Sequence, residues 1–451
     1  GPQGKLYGRN ANGGTINVIS NKPTEEKEGH INISFGNYSS IRADGALSGP
    51  INENTTGRLS FLHATRDGYT KNIFPGAAAR GLDELDTQDL TAVKAQLHFK
   101  PSDTLSIELM ADSYKDSSNP VAYKYLMWPL PWMLPSYAPV PFPNGVHPDD
   151  LRTVSEGFEF HIPGSDRTLE TAGEWNQNGL SAKITLDLES GNTFFSHTSM
   201  RDIDSMWLND GDGIDVFLVN YFQRESSEQF TQEIRLSSAD NDNLNWIVGG
   251  FYIQEDSETF IGIPLPLGLD LPLNLLIDGE HETTAHAFFG QLTKNINEKI
   301  RLNVGLRYNH ENKKVKYQDD RFFVGDETWN SITPRIGIDY FISDENMLYA
   351  NISKGFKSGG FNLLAVQDAY DPEIVWSYEV GLKRTSNEAR LQTNLSAFYY
   401  DYTDMQVGRV ENLQSILLNA AASTIKGAEI EVVALVNDNF RIHANAAFLN
   451  T

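Results

Sequence analysis

The chain has 451 residues, and its 60 acidic against 36 basic side chains leave a formal net charge of −24, with an isoelectric point near 4.8. That balance excludes a nucleic-acid partner, which needs a basic face, and the absence of cysteine removes disulfides, thiol chemistry and the commonest zinc ligand. No apolar run approaches the ~18 residues of a membrane-spanning helix, whereas a mean hydropathy of −0.39 is compatible with a membrane β-barrel, whose strands alternate apolar and polar residues.

Residues 1–23 read GPQGKLYGRNANGGTINVISNKP. Glycines between Gly1 and Gly14 permit positive φ and close backbone approach, and Thr15 to Ser20 read as a short packed strand with Ile16, Val18 and Ser20 on one side. The block resembles the last segment of the plug domain of TonB-dependent outer-membrane receptors, in which a GPQG-x-LYGRNA-x-GG-x-INI pattern precedes the barrel. The resemblance implies that residues 1–24 are the C-terminal remnant of a plug, with Gly4, Gly8, Gly13 and Gly14 in its turns, and that residues 25–451 are a partial transmembrane barrel.

From residue 29 onward the period is two. Ile31, Ile33 and Phe35 share a face, and so do Val93, Ala95, Leu97 and Phe99; Ile184, Leu186 and Leu188 repeat the pattern. The cleanest case sets Leu302, Val304, Leu306 and Tyr308 against Asn303, Gly305, Arg307 and Asn309. A soluble sandwich would alternate in the same way, but these runs exceed the ~5 to 6 residues of an ordinary strand and meet the ~9 to 11 needed to cross hydrocarbon. Short turns are expected near Asn52 and at 101–103, 191–192, 239–243, 295–298, 343–345, 386–388 and 437–438. Long segments lie between them at about 68–88, 115–178, 208–220, 259–279, 310–330 and 356–373. Short turns on one side and long loops on the other are the pattern of outer-membrane barrels. The fold class expected is therefore all-β, an antiparallel transmembrane barrel of about 17 strands; plugged transporters have 22, so ~5 strands and most of the plug are expected to lie beyond this sequence.

The longest loop, 115–178, carries nine of the nineteen prolines together with Tyr123, Tyr125, Trp128, Trp132, Tyr137 and Phe142. Proline restricts the loop and amphipathic aromatics supply contact area with a polar handle, which suits ligand capture at the outer mouth; packing of the loop on itself is the alternative. The apolar stretch at 261–279 reads as a second lid. SKGFKSGGFN at 353–362 also resembles these receptors, in which such a segment lies where a strand passes into an extracellular loop. Its lysine and serine precede the paired glycines, so it is not a phosphate loop. Gly355, Gly359 and Gly360 are expected to bend the chain there, with Phe356 and Phe361 in the interfacial aromatic girdle.

Strand parity turns Glu233, Glu379, Glu429 and Glu431 inward, opposite lipid-facing Ile234, Val380 and Ile430. Plug arginines paired with barrel glutamates are a feature the resemblance implies, and Arg9, in the matched LYGRNA block, is the candidate to meet one or more of these four. Loss of one partner of such a buried pair costs ~3 to 5 kcal/mol; a solvated lumen arginine is the alternative. Asp210, Asp212 and Asp215 miss the spacing of a calcium loop. His281 and His286 fall on opposite faces, and no metal site is expected. No nucleophile motif of the G-x-S-x-G kind occurs, and neither an enzyme nor a cofactor is expected.

The function implied is energy-coupled uptake of a scarce ligand across the bacterial outer membrane, with a ferric siderophore the commonest choice in the family. The implied partners are the TonB complex, through an N-terminal segment outside this sequence, and outer-membrane lipid and lipopolysaccharide. A carbohydrate or other non-iron ligand, a passive porin or adhesin barrel, and a soluble β-sandwich are the competing readings.

Overall fold

A computed structural model describes residues 10–74, 76–122, 153–154, 159–161, 168–170, 173–210, 220–263, 275–318, 322–362, 369–386, 390–411, 414–419 and 422–451. Its dominant element is a 17-stranded sheet: β1 (Glu28–Gly36), β2 (Ser40–Asn52), β3 (Thr55–Arg66), β4 (Gln88–Phe99), β5 (Leu105–Asp116), β6 (Glu174–Asp187), β7 (Thr193–Asp210), β8 (Asn220–Ser237), β9 (Leu244–Ile263), β10 (Leu275–Asn297), β11 (Ile300–Gln318), β12 (Phe322–Ser343), β13 (Asn346–Lys357), β14 (Glu373–Thr385), β15 (Leu391–Thr403), β16 (Ser423–Asn437) and β17 (Phe440–Asn450). Each strand pairs antiparallel with the next in sequence. The sheet is an open barrel wall, because β1 and β17 do not pair with each other.

Seven of the eight short turns fall where expected within the described residues, from that between β2 and β3 to that between β16 and β17, and the eighth, expected at 386–388, lies mostly outside them. These seven lie at one end of the wall. The strand ends that the long connections join lie at the other end.

The decisive property is which face is covered. On β11, Leu306 is 53% exposed while its neighbours Arg307, Asn309 and Glu311 are buried. On β12, Ile332, Ile336, Ile338, Tyr340 and Ile342 are exposed on the same side, and Ile336 lies in register with Val304 and Ile352 of the flanking strands. A soluble sandwich buries its apolar face; this wall buries polar residues and presents aliphatic ones. The ten residue steps from Ile332 to Ile342 rise about 33 Å along the strand, and the tilt of barrel strands reduces that to the roughly 25 Å apolar band of an outer-membrane barrel.

Beyond the band the polarity inverts. Lys314 and Lys316 point outward and pair with Glu282, at 3.2 Å, and with Glu280, while Val315 and Tyr317 turn inward and are buried. For this reason 310–318 and 322–330, expected to belong to a loop, are strand: β11 and β12 pair continuously from Ile300/Tyr340 to Gln318/Phe322. A charged run that would be a loop in water is here the solvated outer face of a strand that protrudes past the membrane. A further hairpin, 406–411 with 414–419, fills the connection between β15 and β16, which the alternation did not single out.

At the long-loop end a small apolar cluster braces the mouth. Ala77, Leu82 and Leu85 from the β3–β4 connection pack with Leu208 and Phe222, and Phe74, Phe260 and Leu276 lie against them. Asp86, buried and in the left-handed region at φ 60°, ties this connection together by accepting from Thr70 Oγ1 at 2.6 Å and from the Ala122 backbone at 3.3 Å.

Candidate functional site

Residues 10–25 trace a path down the polar face of the wall. At the long-loop end Asn10 Oδ1 accepts from the Ser358 backbone N–H at 2.9 Å, and Asn12 Nδ2 donates to Glu373 Oε1 at 3.0 Å. Farther down, Lys94 donates to Ser20 Oγ at 2.9 Å. At the short-turn end Lys22 and Lys183 grip the two oxygens of Glu108 at 2.9 and 2.8 Å, and Lys100 meets Glu25 at 3.2 Å. The thirteen residues from Asn10 to Lys22 can reach about 45 Å when extended, enough to pass from one end of the wall to the other.

The path is held at its ends rather than along its length. Thr15 to Ser20 do not form the strand expected of them, and Ile16, Val18 and Ile19 are exposed. A strand needs a neighbour for its backbone groups, and no described residue pairs with this segment. Nor do Gly13 and Gly14 make a close approach, since a Cβ added to either meets nothing within 4 Å.

At the mouth, by contrast, the contacts form a dense polar junction built on SKGFKSGGFN. Ser358 Oγ donates to Glu311 at 2.5 Å, and Lys313 pairs with Glu311 at 3.4 Å and donates to Gly359 O at 2.6 Å. Gln406 Nε2 donates to Ser358 O at 2.8 Å and to Asp371 O at 3.0 Å, while its backbone N–H is accepted by Glu373 Oε2 at 3.0 Å. Asn362 makes a reciprocal pair with the Leu417 backbone, at 2.8 and 2.7 Å. The Glu373 carboxylate is thus the shared acceptor that ties Asn12, in the opening stretch, to the 406–419 hairpin.

Aromatic rings back this junction. Tyr317 stacks on Phe323, and Phe361 meets Phe323 and Trp329 edge-on at centroid distances of 6.1 and 6.2 Å. The glycines serve these rings by absence of a side chain: a Cβ on Gly359 would lie 2.6 Å from Trp329 and 2.7 Å from Tyr370 O, and one on Gly360 would lie 2.5 Å from the Tyr370 hydroxyl. Close packing, not positive φ, is what they permit. Phe356, expected in the lipid-facing girdle, is buried instead, and Phe361 packs into the junction, because protein and not lipid covers the strand at this height. Burial, reinforced by the Glu311 carboxylate, holds the Tyr370 phenol above its ordinary pKa. Gly359→Ala should cost roughly 1–3 kcal/mol through overpacking, read as a lower unfolding temperature with the sheet retained by circular dichroism.

A family model for the TonB dependent receptor-like β-barrel matches residues 112–450. The chain belongs to the TonB-dependent receptor family. The pesticin receptor of Yersinia enterocolitica is 23% identical over 447 residues, covering 96% of this chain and 59% of the relative, and the metal-pseudopaline receptor of Pseudomonas aeruginosa is 25% identical over 417 residues, 88% of this chain and 55% of the relative. The chain thus spans little more than half the length of these relatives. The ferric yersiniabactin uptake receptor from Yersinia pestis has the same fold, with a TM-score of 0.74 at 18% identity over 100% of this chain and 65% of that one. So does the ferripyoverdine receptor of the Pseudomonas aeruginosa outer membrane, with a TM-score of 0.68 at 14% identity over 100% of this chain and 59% of that one. The exposed aliphatic band is accordingly the lipid-facing surface of an outer-membrane barrel.

Within this TonB-dependent receptor, the four inward glutamates separate into two places. Glu379 accepts from Tyr349 OH at 2.6 Å, Glu431 accepts from Asn394 at 2.9 Å, and Glu429 and Glu431 line one cavity of about 610 Å³ with Tyr349 and Lys383. Glu233 lies on β8 and pairs with Arg235 at 3.0 Å. Arg9, Gly4 and Gly8 lie outside the described residues, as do Tyr123, Tyr125, Trp128, Trp132 and Tyr137 of the capture loop, Asp212 and Asp215, and most of the second lid. The junction residues Asn10, Asn12, Glu311, Glu373 and Gln406 were not singled out by the sequence pattern. Only Ser358 and its glycines carried a signal, through SKGFKSGGFN.

Proposed function

We propose that the protein takes up a ferric siderophore across the outer membrane by TonB-coupled transport, with residues 1–24 as the end of its plug and residues 25–451 as most of its barrel. The observation that carries this reading is the stretch 10–25, which lies along the polar face and is fastened at the mouth by a buried carboxylate and at the far end by paired lysines. A passive porin has no use for such a stretch. The receptor names of the relatives, among them metal-pseudopaline and ferric-pyoverdine receptors, support a chelated metal as the cargo. Capture is assigned to Tyr123, Tyr125, Trp128, Trp132 and Tyr137, and register of the plug to Arg9 against the inward glutamates. TonB supplies the energy, and lipopolysaccharide surrounds the outer half of the barrel.

The test is uptake of radioiron, presented as a panel of purified ferric siderophores, by iron-starved cells that carry the full-length gene as their sole such receptor. Accumulation that stops on deletion of TonB or addition of a protonophore is expected. Uptake indifferent to both would contradict energy coupling, and accumulation of an oligosaccharide but of no ferric complex would contradict the cargo.

A further inference from the structure

On the inner wall one cross-strand row reads Phe195, Arg235, Gly249, Phe289, Arg307 and Thr333, each in register with the next from β7 to β12. Rings and guanidinium groups share this row because Gly249 has no side chain: a Cβ there would lie 2.6 Å from the Phe289 ring. The Arg307 guanidinium lies 5.2 Å from the centroid of Phe289 and 5.8 Å from that of Phe251. Its Nε donates to Asn309 Oδ1 at 2.7 Å, which fixes the plane of the fork.

Arg307 is only 4% exposed, yet no ion pair to it is made among the described residues. The neighbouring carboxylate, Glu233, is held by Arg235 at 3.0 Å, and Arg235 also covers Phe195 at 3.9 Å. Nη1 and Nη2 of Arg307 hydrogen-bond to no described residue. Beside it Asn309 Nδ2 is a buried donor without a partner, and so is Arg335 Nε, two strand positions from Thr333. A buried charge is costly unless it is paired and hydrogen-bonded, and aromatic faces compensate a guanidinium only in part. The donors left over are a planar fork and an adjacent amide N–H, a set that matches the two oxygens of a carboxylate.

We infer that Arg307 and Asn309 form a carboxylate-binding site on the lumen wall. The inference rests on the reading of this wall as the lining of a transport lumen. The carboxylate comes either from an acidic side chain of the protein's own lumen-filling segment or from a ligand in transit. Those sources share one chemistry and are separated by experiment.

The full-length receptor in detergent is treated with phenylglyoxal, which modifies accessible guanidinium groups, and labelling of Arg307 is followed by peptide mass spectrometry against exposed Arg441 as reference. If a diffusible carboxylate is the occupant, sodium citrate slows labelling of Arg307 several-fold relative to sodium chloride of equal ionic strength and leaves Arg441 unchanged. If the protein's own carboxylate is the occupant, Arg307 resists labelling until carboxyl groups are capped with carbodiimide and glycinamide, and its labelling then rises several-fold relative to Arg441. Labelling of Arg307 that responds to neither treatment overturns the site. Because the assay uses unaltered protein and does not read uptake, a receptor that transports iron by energy coupling but fails here loses only this inference.

Discussion

Ile336→Arg is expected to destabilise the folded barrel by about 2–4 kcal/mol, the cost of a cationic side chain on the lipid face near the bilayer midplane. Ile336 sits near the middle of the outward band, 57% exposed, between Val304 and Ile352. In water, exchange of an exposed isoleucine for arginine would change stability by no more than about 0.5 kcal/mol. The size of the effect therefore separates a hydrocarbon surround from an aqueous one. Asn303→Arg is the matched control: Asn303 faces inward and donates to Asp339 at 3.0 Å, so an arginine there keeps a carboxylate partner and water. Urea unfolding of both variants in lipid vesicles measures the difference. Equal stabilities would remove the case for a lipid-facing surface.

Glu373→Leu should release the opening stretch from the mouth. The substitution leaves Asn12 Nδ2 and the Gln406 backbone N–H without their acceptor, and each buried orphan costs about 1–3 kcal/mol. Relief of the carboxylate's own desolvation offsets part of this, so a net loss of about 2 kcal/mol at the junction is expected. Hydrogen exchange reads it locally: the Gln406 amide should exchange more than about tenfold faster, the factor that corresponds to 1.4 kcal/mol, while amides of β11 at the lipid-facing level stay protected. Glu373→Gln keeps one acceptor oxygen and should fall between the two. Unchanged exchange at Gln406 in the leucine variant would show that the junction does not depend on this carboxylate.

Period-two alternation and seven of the eight polar turns were legible because each is a local property, fixed within a few residues, and the hydrocarbon surround makes the outward face uniformly apolar. The same logic placed Glu233, Glu379, Glu429 and Glu431 on the inward face. It failed where the solvent changes along one strand: the run NHENKKVKYQ reads as a loop, but Lys314 and Lys316 are the wet outer face of β11 above the membrane. Thr15 to Ser20 misled in the opposite direction, since alternation suggests a strand yet cannot supply a pairing partner. The junction was invisible for a further reason. Asn10 and Ser358 are 348 residues apart, and Asn12 and Glu373 are 361 apart, so nothing local marks Glu373 or Gln406 as partners of the opening stretch. Phe356 shows the limit of motif reasoning: its neighbourhood was recognised, but its burial is a property of the assembled structure that the motif does not carry.

The inside-out wall is the claim on which everything else depends, and the cysteine-free chain allows it to be measured residue by residue. Single cysteines placed in turn from Ile332 to Ile342 in the full-length protein, spin-labelled and reconstituted in vesicles, report access to oxygen, which partitions into lipid, and to a water-soluble nickel chelate. Oxygen access should peak at Ile332, Ile336, Ile338, Tyr340 and Ile342 and fall at the residues between them, with the chelate in the opposite phase or excluded. Chelate access that is uniform along the strand, or highest at those five positions, would contradict a membrane barrel.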